Sequence, residues 1–255
     1  MSCTNRAQSL NGRVATRLSK LRLDQTNGRY YLNDVNYINV VMIKGAGVGI
    51  SERRRRDSAR LRQKILNAAR DLFAAQGYEA VTMREIARKI EYSPTAIYTH
   101  FQDKEALINE LCTVDFMVLA SGFQHIGRVA DPVERLRKIG RAYAEFGLKH
   151  TNHYRVMFMT PHPAFDPDKK DIEKGNPEED AYAMLKSTVA EGIKARRYRA
   201  GVKDASLVAQ TVWAGIHGVI SLEIAKSCDD WVDWRPMKKR IDAMIDILIE
   251  GFTKP

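Results

Sequence analysis

The chain has 255 residues, 44% of them hydrophobic and 28% charged, a globular composition that can bury one large core or two smaller ones. Its three cysteines, at positions 3, 112 and 228, lie far apart without a CxxC pair, which excludes a disulfide framework and indicates a reducing compartment. Residues 1–101 hold 18 Lys and Arg against 8 Asp and Glu, and residues 102–255 hold 23 of each, so the whole net charge of +10 lies in the first part and predicts a polyanionic partner there.

Residues 1–52 are expected to form a basic, disordered N-terminal extension. Four arginines and a lysine precede the first acidic residue, and a polar stretch rich in Asn and Tyr follows. An organelle transit peptide would share this start, and a third interpretation is that the natural chain begins at Met42. The glycines of GAGVG at 45–49 predict a hinge, because they run into SERRRRD and not into the helix that a dinucleotide-binding loop requires.

The first helix of the folded part is expected from Asp57 or Ser58 to Gln76. Gly77 supplies the left-handed residue that commonly ends a helix. The apolar stripe of this helix consists of Leu61, Ile65, Ala68, Leu72 and Phe73. Four arginines precede it, Arg53, Arg54, Arg55 and Arg56. They are either a solvated charge run or an arm that contacts the minor groove or the phosphates of DNA.

The segment TMREIARKIEYSPTAIYTHF, residues 82–101, predicts two short helices joined by a tight turn. Thr82 and Glu85 have the spacing of a capping box, and apolar residues follow at helical intervals. Ser93 followed by Pro94 is typical of a helix cap and a first helical position. The outer face of the second helix carries no acidic residue, as a helix lying against phosphates and base edges requires. The pattern predicts a helix-turn-helix whose second helix reads DNA.

The segments ILNAARDLFAAQGYEAVTMREIA, SPTAIYTHF and DKEALINEL resemble the TetR/AcrR family of bacterial transcriptional regulators, over about residues 60–111. One position departs from that family: a turn residue that is usually Gly is Glu91 here, where a positive φ would cost about 1 kcal/mol. The resemblance implies an all-α protein. A three-helix helix-turn-helix domain would occupy residues 53–103, and a C-terminal helical domain for ligand binding and dimerisation would occupy residues 104–255.

The resemblance also implies which residues contact DNA. The expected contacts to base edges or to the thymine methyl group come from Arg84, Thr95, Ala96 and Tyr98, and those to phosphates from Thr82, Thr99, His100 and Lys104. Arg84 has an alternative role as a surface ion-pair partner of Glu85.

From Pro132 onward the sequence shows helical periods and no strand alternation. Helices are expected at about 132–150, 152–159, 177–198, 204–227 and 236–252. A long loop is expected at Pro161–Pro177, which contains four prolines. The charge-free stretch Ser206–Leu222 is shorter than a membrane span and predicts a buried helix.

The motifs HYRVMF at 153–158 and WAGIHG at 213–218 resemble the C-terminal domain subtype named for its Trp, His and Gly. Gly215 and Gly218 predict close approach by another helix. A pocket for a small apolar or amphipathic effector is expected to include Phe146, Met157, Phe158, Met184, Trp213 and His217. Core packing explains each of these residues equally well, and for His217 a satisfied position in the core is favoured.

The sequence contains no catalytic motif, and the histidines at 150, 153 and 162 lack an acid or cysteine at metal-ligand spacing. Neither an enzyme, a cofactor nor a metal site is therefore expected. The sequence predicts a cytoplasmic, nucleoid-associated homodimer that binds near-palindromic double-stranded operator DNA, responds to a ligand and contacts no membrane. The alternative is a DNA-binding or scaffolding protein that neither prefers an operator nor senses a small molecule.

Overall fold

The structure is a computed structural model that describes residues 50–163 and 172–253. Those residues form nine helices: α1 (Ile50–Gln76), α2 (Met83–Lys89), α3 (Pro94–Tyr98), α4 (Lys104–Ser121), α5 (Pro132–Lys149), α6 (Thr151–Tyr154), α7 (Ala181–Lys194), α8 (Ala205–Lys226) and α9 (Met237–Phe252). A 3-10 turn covers Ile126–Arg128, and α6 continues into a π-helical turn, Arg155–Met159. The same residues contain no strand beyond an isolated bridge between Tyr198 and Thr253, so the all-α prediction is confirmed.

Helix α1 begins earlier than the sequence predicted. It starts at Ile50, so Arg53–Arg56 lie exposed in its first two turns and do not form a separate arm before it. Arginine is a good helix former, and Glu52 in the first turn complements the helix dipole. The C-terminal end of α1 is as predicted, because the helix ends at Gln76 and Gly77 after it has the left-handed φ of 83°. The expected extension at residues 1–49, with its glycine hinge, lies outside the described residues.

Two clusters of buried apolar side chains divide the described chain within α4. The first packs α1, α2 and α3 against the start of α4 through side chains that are 0% exposed: Ile65, Phe73, Ile86, Ile97, Leu107 and Leu111. The second lies among α5, α7, α8 and α9, where Leu136, Val189, Ile220, Ile245 and Ile249 are at most 1% exposed. Burying one such side chain contributes about 1.5–3 kcal/mol.

Helix α7 begins at Ala181, later than the predicted position 177. The carboxylate of Asp180 caps it by accepting hydrogen bonds from the backbone amides of Tyr182, at 2.9 Å, and Ala183, at 3.0 Å. A cap of this kind fixes the first turn of a helix. The preceding loop was predicted for 161–177, and its residues 164–171 lie outside the described residues.

Helix α5 packs closely because it contains Gly147. A Cβ atom there would lie 2.8 Å from Cγ2 of Ile220 and 2.9 Å from Cδ2 of Tyr154. The predicted close approach is confirmed at Gly215, whose Cβ would lie 2.8 Å from Cδ1 of Leu248. At Gly218 no atom of the described residues lies within 4 Å of that position, so no close approach is found there.

Two helical stretches, Lys104–Arg128 and Ala205–Lys226, are long and apolar enough to cross a membrane when judged by length and composition alone. The second contains the stretch Ser206–Leu222 that was predicted to be shorter than a membrane span, and the helix α8 around it has 22 residues. Only 28% of its most apolar window is buried within the described structure, against 50% for the first stretch. The prediction of a buried helix is therefore correct for one face of α8 only.

Candidate nucleic-acid interface and effector cavity

The predicted capping box fixes the start of α2. The amide of Glu85 donates to Oγ1 of Thr82 at 3.2 Å, and the amide of Thr82 donates back to Oε2 of Glu85 at 2.8 Å. The hydrogen bonds from the Thr82 backbone and side chain hold the pKa of Glu85 below its ordinary value. The Thr82 hydroxyl also donates to Glu85, at 3.0 Å, so a phosphate contact by this hydroxyl would have to replace that hydrogen bond.

The turn between α2 and α3 places Glu91 in the left-handed region, at φ 61°. This is the conformation that favours Gly, so the chain tolerates a strain of about 1 kcal/mol. The neighbouring amide of Tyr92 donates to the carbonyl of Ala87 at 3.0 Å. That hydrogen bond holds the turn closed despite the strain.

Helix α3 presents an exposed face without an acidic residue. Ser93 caps it by accepting from the amide of Ala96 at 3.3 Å, and the helix ends at Tyr98, three residues before the predicted end. Ile97 is fully buried, whereas the Tyr98 side chain is 51% exposed and Thr95 is also exposed. Tyr98 therefore has no part in the core, as the sequence predicted.

Two predicted phosphate contacts, Thr99 and Lys104, have partners inside the protein, and a third, His100, is uncharged. The Thr99 hydroxyl donates to the carbonyl of Ala96 at 2.7 Å. His100 is half-buried, and burial, followed by the charge of Arg62, lowers its pKa, which keeps the ring neutral at pH 7. Nζ of Lys104 donates to the backbone carbonyls of Tyr78, Glu79 and Val81 at 2.9, 3.4 and 3.1 Å.

Lys104 also lies over an aromatic ring, with Nζ 4.2 Å from the centroid of Tyr78. An ammonium group has three donors, and all three are engaged in these backbone hydrogen bonds. The interpretation of Lys104 as a phosphate contact is therefore revised: its ammonium joins the start of α4 to the loop between α1 and α2.

Arg84 is exposed and makes no ion pair within the described residues. The ion-pair partner of Glu85 is Arg88 and not Arg84, since the Arg88 guanidinium lies 3.8 Å from that carboxylate. Arg62, in contrast to Arg84, is held by several partners inside the protein. Its Nε donates to Glu110 at 2.6 Å, its NH1 donates to the carbonyl of His100 at 3.0 Å, and its guanidinium stacks 4.4 Å from the Phe101 centroid. This arginine positions the residues that follow α3.

The C-terminal domain contains a cavity of about 310 Å³. Of the predicted pocket residues, Met157, Phe158 and Trp213 line it. The prediction is wrong for the other three. Phe146 packs against the ring of His150, with centroids 5.3 Å apart, Met184 is a core residue, and His217 lies behind the wall. Further lining residues are Phe116, Leu119, Phe123, Ile139, Gly140, Tyr143, Ile172, Glu179, Asp180, Ala181, Tyr182, Leu185, Val212 and Ile216.

A chain of four polar side chains begins in the wall of the cavity with Trp213 and Tyr143 and continues behind it to Tyr154 and His217. Nε1 of Trp213 donates to Oη of Tyr143 at 2.9 Å, and the hydroxyls of Tyr143 and Tyr154 are 3.0 Å apart. Oη of Tyr154 lies 2.5 Å from Nδ1 of His217. His217 is half-buried, and its Nδ1 has a partner inside the subunit, which supports the core interpretation over a ligand contact.

A buried ion pair joins the two domains. Nε and NH2 of Arg70 on α1 donate to the Asp115 carboxylate on α4 at 3.0 and 2.7 Å, and the two residues are 4% and 0% exposed. Nδ1 of His153 lies 2.9 Å from Oδ1 of Asp115, within ion-pair distance but outside hydrogen-bond geometry. Among the described residues no group of three or more His, Cys, Asp or Glu could hold a metal ion.

The π-helical turn reaches both cores. Val156 is fully buried in the core of the DNA-binding domain, whereas Met157 belongs to the second core and lines the cavity together with Phe158. A π-helical turn inserts an extra residue into the helical repeat, so neighbouring side chains can face different partners. Sequence reasoning missed this junction. The charged Arg70, among the apolar residues of the first helix, was the one signal that pointed to it.

Comparison with known proteins supports both domains. Residues 65–111 match the family described as "Bacterial regulatory proteins, tetR family", and residues 136–248 match "Tetracyclin repressor-like, C-terminal domain". The chain is 34% identical over 73 residues to the HTH-type transcriptional regulator UidR of Escherichia coli (strain K12), covering 29% of this chain and 34% of UidR. It is 33% identical over 111 residues to the HTH-type transcriptional repressor AcnR of Corynebacterium efficiens, covering 38% of this chain and 59% of AcnR.

Solved structures show the same fold. The TetR family transcriptional regulator PfmR from Thermus thermophilus aligns with a TM-score of 0.59 at 22% identity, over 74% of this chain and 99% of PfmR. The fatty acid degradation regulator FadR from Bacillus halodurans aligns with a TM-score of 0.59 at 16% identity, over 74% of this chain and 98% of FadR. The Trp-His-Gly subtype stays a prediction. With a helix-turn-helix that matches at one end and a helical C-terminal domain that matches at the other, this chain belongs to the TetR family of bacterial transcriptional regulators.

Proposed function

We propose that this protein is a transcriptional repressor that binds a near-palindromic operator as a homodimer and releases it when a small apolar molecule enters the cavity. The observation that carries the proposal is the exposed, acid-free face of α3 on a domain that a buried ion pair joins to the cavity-bearing domain. The matched parts of UidR and AcnR, an HTH-type regulator and an HTH-type repressor, support it. Regulators of this family are cytoplasmic proteins, and we place this one at the nucleoid.

Direct contacts to bases are assigned to side chains on the outer face of α3 and to one side chain of α2. Tyr98 and Thr95 are exposed there, Ala96 is short enough to admit a thymine methyl group, and Arg84 projects from α2 without an ion-pair partner in the described residues. The four arginines of α1 are a helical patch. Successive helical residues project about 100° apart, so one or two of them can face the same duplex.

Dimerisation is assigned to an apolar face on α8 and α9. Leu207 and Leu222 on α8 are 62% and 49% exposed, and Ile247 on α9 is 68% exposed. Ala214 and Gly218 lie between the two leucines at helical spacing. A second copy of the chain would cover this face by a two-fold contact and would place two reading helices about 34 Å or more apart.

Regulation runs through the π-helical turn. An effector that contacts Met157 or Phe158 acts on the same turn that inserts Val156 into the DNA-binding core. That turn follows His153, whose Nδ1 approaches the Arg70–Asp115 pair. Because a ligand shifts an equilibrium only by its differential affinity, the effector must bind more tightly to the arrangement that does not fit the operator.

Fluorescence anisotropy with DNA from upstream of its own gene, against scrambled DNA, tests the proposal. Two Tyr98→Ala subunits would each lose a contact worth about 1 kcal/mol, so affinity should fall about 30-fold. Trp231→Ala, which removes a 90% exposed aromatic side chain of the C-terminal domain, is the control and should bind normally. With about 6–10 phosphate contacts, affinity should fall by roughly 10³–10⁵ between 50 and 200 mM salt. Equal affinity for both DNAs would refute the repressor and favour the scaffolding alternative.

A further inference from the structure

The hydrogen-bond chain from Trp213 to His217 has a direction, because each member donates to the next one. At one end, the indole Nε1 of Trp213 can only donate, so Tyr143 Oη accepts. In the middle of the chain, the Tyr143 hydroxyl donates to Oη of Tyr154 at 3.0 Å, and at the other end Oη of Tyr154 lies beside Nδ1 of His217. Tyr154 thus accepts from Tyr143 and has its own proton left for the imidazole.

The ionisation states agree with this direction. Burial lowers the pKa of His217, so its ring is neutral at pH 7 and Nδ1 can accept a proton. Burial raises the pKa of Tyr143 to about 12 and also raises the pKa of Tyr154, so both phenols keep their protons. Tyr154 has used its proton on His217, and Tyr143 must donate to Tyr154. The longer alternative, 3.3 Å from Tyr143 Oη to His217 Nδ1, would use the same proton.

Tyr143 consequently reaches the cavity as an acceptor. Its oxygen has two lone pairs, one of which takes the Trp213 proton, and one lone pair remains. The Trp213 N–H is also engaged, so the indole offers the cavity only its apolar surface. A ligand that carries a donor can form one more hydrogen bond to this lone pair, whereas a ligand that carries only acceptors cannot.

The other described lining residues also favour an uncharged ligand. They are mainly aromatic and aliphatic side chains, with the carboxylates of Glu179 and Asp180 at the end near α7. None of the described lining residues is Lys, Arg or His. Tyr182, which also lines the cavity, accepts a hydrogen bond at 3.3 Å from Nε2 of the exposed Gln210. Among the described lining residues, a carboxylate ligand would therefore meet two carboxylates and no positively charged side chain.

We propose that the effector is an uncharged apolar ring compound carrying a hydrogen-bond donor, a hydroxyl or an N–H, which binds Oη of Tyr143, and that the cavity discriminates against carboxylates. This inference rests on the proposed function, because it names the chemical class of the effector. Tyr143 is then the residue that determines specificity.

Calorimetric titration of the full chain without DNA tests this class with three probes: naphthol, methoxynaphthalene and naphthoate, all substituted at the same ring carbon. Naphthol should bind about five- to tenfold more tightly than methoxynaphthalene, the value of one neutral hydrogen bond. Naphthoate should bind most weakly. Tyr143→Phe should abolish the advantage of naphthol, whereas the control Tyr182→Phe should keep it.

Methoxynaphthalene binding as tightly as naphthol, naphthoate binding most tightly, or no probe binding to the wild-type chain would each overturn the inference. The wild-type series does not depend on the folding of any variant. Anisotropy on operator DNA separates the two proposals. Operator preference with the wrong order of probes refutes the effector class alone, and the expected order of probes without operator preference refutes the proposed function alone.

Discussion

Removing the buried carboxylate at the domain junction should cost about 3–5 kcal/mol of stability, because Asp115→Ala leaves an unpaired buried charge. Arg70 is 4% exposed, and two of its donors bond to Asp115, which is 0% exposed. In the variant its one remaining described partner is Oδ1 of Asn67, at 2.9 Å from NH1. A neutral amide oxygen cannot compensate a guanidinium that is removed from water.

Urea unfolding, followed by circular dichroism at fixed protein concentration, measures this loss as a lower midpoint with an unchanged slope. Asp233→Ala is the matched control. It removes the partner of Arg235 in an ion pair whose side chains are 81% and 75% exposed, and it should change stability by at most about 1 kcal/mol. The double variant Arg70→Leu with Asp115→Leu should recover most of the loss, since apolar residues can replace a buried pair. A loss below about 1 kcal/mol for Asp115→Ala, or a double variant no more stable than the single one, would refute the buried-charge argument.

Two further outcomes are expected. Ile247→Asp puts a charge on the proposed dimer face and should yield a monomer in sedimentation velocity. The control Tyr92→Asp, at an exposed position of the helix-turn-helix, should leave the dimer intact. If the Ile247→Asp variant is still a dimer, α9 is not part of the interface. Burial, followed by the charges of His153 and Lys149, lowers the pKa of His150 from 6.5 to about 4. As pH falls through that window the unfolded chain takes up a proton that the folded chain refuses, so stability should decline between those values. His150→Gln should flatten this decline, and an unchanged pH dependence would assign it to another group.

Most of the DNA-binding half could be predicted from the sequence because its signals are local. The Thr82–Glu85 capping box, the Ser93 cap and the stop at Gly77 each act over a few neighbouring residues, and all three are present. Glu91 was identified as a departure from the family pattern, and it has the positive φ that this departure implied. The order and type of the C-terminal helices were also predictable from apolar periodicity, within a few residues at their ends.

The destinations of individual side chains depended on residues distant in sequence. Lys104 was expected to face phosphate, and it bonds to carbonyls more than twenty positions earlier. Arg70 and Asp115 are 45 residues apart, and only the packing of α1 against α4 brings them together. The same holds for the cavity. Phe146 and Phe158 carry the same ring, but Phe158 lines the cavity whereas Phe146 packs on His150.

The sequence by itself determined the family, the helical elements and the acid-free reading helix, because caps, turns and apolar periods act within one or two helical turns. Only the tertiary structure decided which polar atoms remain available to a ligand or to DNA. A donor is used or free according to neighbours that chain folding supplies, and no pattern along the sequence records them.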